Sequence, residues 1–277
     1  MVERFDSPAH DDDAVNGRKQ CCQNPSEKFA RLFRPIVSII ELMNPPSRRI
    51  AVILVITLFA ISSGFAAGTR NSFNPRQFST GNFKGCPPQG HDPNGRSDPD
   101  LSVLKNRDIA PTTARPYTVT SLVNQLPTTL PRGTFNDPRP RSGWTSQQKD
   151  LAARSESRAV IVTGYLVNVI REKAEGCNCE STKYVDHHLW LAPTPNSPIS
   201  QAMVVEVSPR LWPRQPKWSK TATFQSLVDA KSKVRVTGWL MWDQEHREQL
   251  GKRRKTLWEV HPIHQIQVQR GNKWVNL

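Results

Sequence analysis

Residues 158–171 read "RAVIVTGYLVNVIR". Apolar and β-branched residues crowd this run at near-alternate positions, which is strand patterning. Gly164 sits where a strand can bend tightly or bulge. A polar loop, 172–186, follows, and then "HHLWLAP" reads as a second strand. "QAMVVEVSP" reads as a third, ended by Pro209. After the loop "RLWPRQPKW", the period changes. "TATFQSLVDAKS" places Phe224, Leu227 and Val228 on one side of a short helix. "KVRVTGWLMWD" is a fourth strand, "QEHREQLGKRRK" a charged loop, and "TLWEVHPIHQIQV" a fifth strand with Pro262 at a bulge or edge. Three strands, a helix and two strands is the order of a five-stranded OB-fold-like barrel. An SH3-like barrel also has five short strands, but it does not normally place a full helix at that point. The expected fold is therefore mainly β, with the barrel over 156–270 and a tail at 271–277.

Upstream the pattern loosens. "WTSQQKDLAARSES" offers Thr145 or Ser146 as an N-cap for a helix near 146–155. Residues 101–155 read as an irregular arm with a helical turn near 121–125. Residues 69–100 are polar and rich in Pro and Gly, and read as a disordered linker. All eight Trp fall at or after Trp144, so the folded body is C-terminal.

The run Ile50 to Ala67 is uncharged and lies at the short end of what spans a bilayer, roughly 17–25 residues. Lys and Arg are richer before it than just after it, which puts the N-terminus in the cytoplasm and the rest outside. The same letters from Met43 to Gly68 also fit a secretory signal peptide. Residues 43–68 are thus read as a signal peptide or a single transmembrane anchor, with the membrane as partner through 50–67 if uncleaved. Residues 1–42 are a cytoplasmic tail or a mis-called extension. The expected location is extracytoplasmic. Cys86, Cys177 and Cys179 then face an oxidising compartment, and one of the three is left over.

The segment Trp144–Val268 resembles a group of uncharacterised bacterial exported proteins with a single OB-like domain. The likeness rests on "TGYLVNV", "CNCEST" with "DHHLWLA", "VVEVSPR", "VRVTGWLMWDQEH", "TLWEVHP" and the upstream "LKNR" at 104–107. It implies a fold and an exported location, and supplies no reaction.

In an OB barrel the first–second and fourth–fifth strand loops flank the usual ligand face. Here these are 172–186 and 243–255. They gather Cys177, Cys179, Asp186, His188 and His246 as candidate metal ligands, and zinc accepts such donors. The C-x-C spacing is not the common zinc spacing, and the competing reading is a hairpin tip with a disulfide to Cys86. A Cys177–Cys179 bond would close a strained ring. Glu206 and Asp243 are candidate acid/base groups. Alternation turns Val205 and Val207 inward and Glu206 outward, toward a neighbouring Arg. It likewise sets His187, Leu189 and Leu191 against His188 and Trp190, and puts Glu259 and His261 on one face.

The tip Lys252, Arg253, Arg254 and Lys255, with Trp239, Trp242 and Trp258 nearby, matches the charge-plus-stacking recipe for a polyanion such as nucleic acid or an acidic glycan. The net charge of +14 points the same way. Two functions follow: a binding protein for a polyanion, or a metal-dependent hydrolase, nuclease-like in its residue types. The Asp-Gly-Asp-Thr run of staphylococcal-type nucleases is missing. So are the Gly-x-Ser-x-Gly, Walker and Rossmann patterns.

Overall fold

The computed structural model describes residues 73–95, 97–134 and 136–277. The expected tail at 1–42 and the signal or anchor segment at 43–68 lie outside the described residues. Among the described residues no helix is long and apolar enough to cross a membrane.

In chain order the main elements are helix α1 (Pro99–Lys105), strand β1 (Arg115–Thr118), helices α2 (Val119–Gln125) and α3 (Ser146–Glu156), and strands β2 (Ala159–Arg171), β3 (His187–Ala192) and β4 (Met203–Val207). Helix α4 (Thr221–Asp229) and strands β5 (Lys233–Trp242), β6 (Trp258–Arg270) and β7 (Lys273–Asn276) complete the chain. The caps are written in the sequence. Asp98 caps α1 with Pro99 at its first turn, and Thr145 forms a capping box with Gln148 on α3.

Strand β2 pairs antiparallel with both β3 and β5. Strand β3 pairs with β4, and β5 with β6, while a single parallel contact, Val205 to Val260, joins β4 to β6. These pairings close a five-stranded barrel, with α4 inserted in the chain between β4 and β5. The strand order is compatible with an OB-fold. Gly164 is needed where β2 passes from one partner to the other, because a Cβ there would lie 2.7 Å from the Ala192 carbonyl oxygen. Beside Pro262 the β5–β6 register shifts at Gly238, as expected of a bulge.

The barrel interior is apolar. Leu166, Leu189, Leu191, Val205, Val207, Val236 and Val260 fill it, and Phe224 and Leu227 of α4 close one end. Trp242 and Trp258 meet edge to face with ring centroids 5.4 Å apart. Their indole N–H groups donate to the Pro131 and Pro127 carbonyls, which ties down the arm.

Two expectations are corrected by long-range contacts. Residues 73–98 are not a free linker. Cys86 is buried and bonded to Cys179, and Phe78 packs on Trp239 at 4.5 Å. The Arg210 guanidinium donates to the Gly81, Cys86 and Pro87 carbonyls. Composition reports local preference only, and each of these partners is far away in the chain. Likewise 271–277 is not a loose tail, since β7 pairs with β6, and the arm contains β1, parallel to β2.

Candidate functional site

Three neighbouring strands build the centre of the site. The β3–β4 register sets His188 opposite Glu206, and the Val205–Val260 contact sets Glu206 beside His261. Period-two alternation turns all three away from the barrel interior. Water does not receive them. Helix α1 and the 172–186 loop lie over this face, and Arg107 fastens α1 there by donating to the carbonyls of Leu104, Glu156, Leu240 and His261. Leu101 and Leu104 pack on Met241 beneath. Asn106 donates to the Cys177 carbonyl. The "LKNR" stretch is thus the clamp that closes the outer face.

Glu206 divides its carboxylate between two imidazoles. Oε1 lies 2.7 Å from His188 Nε2, and Oε2 lies 2.9 Å from His261 Nδ1. Both are close charge pairs, and the other ring nitrogen of His261, Nε2, has no polar partner. His188 Nδ1 meets Glu172 Oε1 at 3.0 Å. Asp186 accepts from Asn178 on Oδ2, while its buried Oδ1 has no partner. Cys177 Sγ lies 3.2 Å from Glu175 Oε2 and 3.7 Å from Asp186 Oδ2, and the Lys105 ammonium lies 3.2 Å from Glu175.

The second loop joins the first. Asp243 Oδ2 accepts from His246 Nδ1 at 2.6 Å and from Arg254 Nη1 at 2.7 Å, and Arg254 also pairs with Glu259. The His188 and His246 rings lie 6.5 Å apart. A pocket of about 160 Å³ opens beside His246, bordered also by Leu101, Lys105, Glu175, Cys177 and Glu245.

Burial drives the titration of these groups, and charge partners decide its direction. Burial pushes Glu206 up, but His188 and His261 outweigh it and hold the carboxyl well below its usual range. Burial opposes a charge on His261, yet Glu206 raises it to about 9. Burial wins at Asp186 and Glu259, both raised to about 7, and the Cys177 thiol is raised by burial and by Glu175.

The structure brings Cys177, Asp186, His188, Glu206, Asp243 and His246 together at one end of the barrel. Two named groups leave the expected roles. Cys179 is the disulfide partner of Cys86, 93 residues away, so its sulfur is not a free thiolate, and among the described residues Cys177 is the free thiol. Arg254 is fully buried between Asp243 and Glu259 and cannot meet a polyanion. Lys252, Arg253 and Lys255 are exposed. Trp239, Trp242 and Trp258 are buried, so they offer no stacking platform, and Arg253 itself covers the Trp190 ring. Glu206 faces outward as alternation requires, but its partners are histidines rather than an Arg.

Sequence reasoning passed over Glu172, Glu175 and Lys105 and gave His261 no ligand role. The spacing of Glu259 and His261 within an apolar strand was the available signal. Nothing local marks Lys105, which arrives on α1 from outside the barrel. No protein-family model, curated protein or solved structure matches the chain.

Proposed function

We propose that this chain is an exported or membrane-tethered OB-fold protein that works as a metal-dependent hydrolase at the loop end of its barrel. One observation carries the reading. Glu172, Glu175 and His188 hold their ligand atoms within 4.8 Å of one another, and Glu175 also lines the pocket. Three protein donors, one of them lining an open space, suit a catalytic cation site, which keeps a position free, better than a closed structural one. A divalent ion there would supply an activated water.

The chain supplies the rest. Lys105 is placed to hold an anionic oxygen of a substrate, and Glu245 borders the same space as a proton acceptor. The charge balance favours a cation over a polyanion. Among the described residues seven carboxylates (Glu172, Glu175, Asp186, Glu206, Asp243, Glu245, Glu259) meet two permanent cations, Lys105 and Arg254, and three histidines. The Cys86–Cys179 bond supports an oxidising, extracytoplasmic location, in line with the resemblance to exported proteins.

The test is titration of Zn²⁺ into chelator-treated full-length protein, followed by calorimetry. Binding in the micromolar range or tighter is expected, weakened at least tenfold by Glu172→Gln. No binding, together with salt-sensitive binding to heparin or single-stranded DNA that is lost when Lys252, Arg253 and Lys255 are neutralised, would replace this reading with the polyanion-binding one.

A further inference from the structure

We infer that the protein holds a second divalent ion, fully enclosed behind the first, on Asp186, Glu206 and His261. The proposal deepens the reading above, because the two sites meet at His188 and Glu206. It stands on its own observations.

The three side chains come from different segments: the end of the 172–186 loop, β4 and β6. Their ligand atoms lie within 4.8 Å of one another. All are buried, at 1% exposure for Asp186 and Glu206 and 0% for His261. An apolar surrounding penalises such groups unless each polar atom is satisfied. Here two are not, Asp186 Oδ1 and His261 Nε2, and two more, Glu206 Oε2 and His261 Nδ1, have chiefly each other. Asp186 Oδ1 and Glu206 Oε2 belong to two members of this triad, and His261 turns its Nδ1 toward Glu206 Oε2 at 2.9 Å. Under-satisfied ligand atoms of two carboxylates and an imidazole, gathered within 4.8 Å, suit a positive centre among them.

The donor set is two carboxylates and one imidazole, which suits Zn²⁺ or Mn²⁺ and not a soft thiophilic ion. Tetrahedral ligands on zinc stand roughly 3.4 Å from one another, from bond lengths near 2.1 Å. The present spread brackets that value, so small side-chain movements suffice. The outer triad, Glu172, Glu175 and His188, shares no residue with this one, so both can be filled together. His188 links them, with Nδ1 toward Glu172 and Nε2 toward Glu206. An imidazole that binds metal through one nitrogen is normally oriented by a carboxylate on the other, and Glu206 is that carboxylate. The enclosed ion therefore fixes Glu206, and Glu206 fixes the ligand of the open ion.

The experiment is metal content by mass spectrometry after Zn²⁺ loading of the full chain and gel filtration, with removal by EDTA followed over time. Two ions per chain are expected, one lost quickly and one slowly. Glu172→Gln should remove the fast ion alone, and His261→Gln the slow one. If His261→Gln does not fold, as judged by circular dichroism, Asp186→Asn takes its place. One ion per chain, removed by Glu172→Gln, would overturn the second site and leave the function proposed above standing. Two ions whose number is unchanged in His261→Gln and Asp186→Asn would also overturn it. No ions at all would sink both.

Discussion

The two faces of β3, β4 and β6 differ by one residue in the chain and by everything in chemistry. Leu189, Val205 and Val260 point into the barrel and make a dry apolar core. His188, Glu206 and His261, each one position away in the chain, point the other way into a layer that is equally closed to water but filled with ionisable groups. Alternation along a strand says which side chains avoid the core. It does not say what lies over them. That is decided by the segment from residue 73 to Arg107, held on by a disulfide and by the Arg107 and Arg210 guanidinium groups. The inner face gains stability from shape and the hydrophobic effect. The outer face holds groups whose burial costs free energy, which points to use rather than to stability.

The comparison breaks most sharply at the inner face. Trp258→Ala should lower unfolding free energy by about 3–5 kcal/mol, since it removes a fully buried indole and strands the Pro127 carbonyl. A urea midpoint measures it. Next comes the attachment of the outer layer. Cys86→Ala should cost about 2–4 kcal/mol. Its more telling sign is faster amide exchange across α1 and residues 83–91, with the β5–β6 amides unchanged. Uniform acceleration would mean that arm and barrel are one cooperative unit.

The smallest effect is a pH slope from His264, outside the ligand cluster. Its Nε2–H donates to the Arg107 carbonyl. Desolvation lowers its pKa to about 4, below the unfolded value near 6.5. A depressed histidine favours folding in its neutral form. Its contribution is present above pH 6.5, falls as pH drops from about 6.5 to 4, and is flat below. Its size is on the order of 1–3 kcal/mol. Comparing wild type with His264→Phe over that range isolates it, and equal slopes would refute it.

How far the sequence could be read follows from the same contrast. The five barrel strands, α3 with Thr145 as its cap, and α4 with Phe224 and Leu227 inward are all local patterns, and local patterns survive in a bare sequence. The gathering of Asp186, His188, Asp243 and His246 was legible through strand order alone. The roles of Cys179 and Arg254 were not. One is settled by Cys86, 93 residues away, and the other by Asp243 and Glu259 across a hairpin. Lys105 enters the site on a helix that no barrel topology announces.

Strands β2 and β6, at 13 residues each, are longer than the neighbours that meet them in the barrel wall. Where β3 turns away from β2, β1 takes up the vacant side at Val160–Thr163. Where β4 ends beside β6, β7 does the same at Gln267–Arg270. These two four-residue ribbons work as stoppers, covering amides and carbonyls that would otherwise recruit a strand from another molecule. Trimming the last few residues of the chain would leave the wall intact and its seam open, and the first symptom would be self-association.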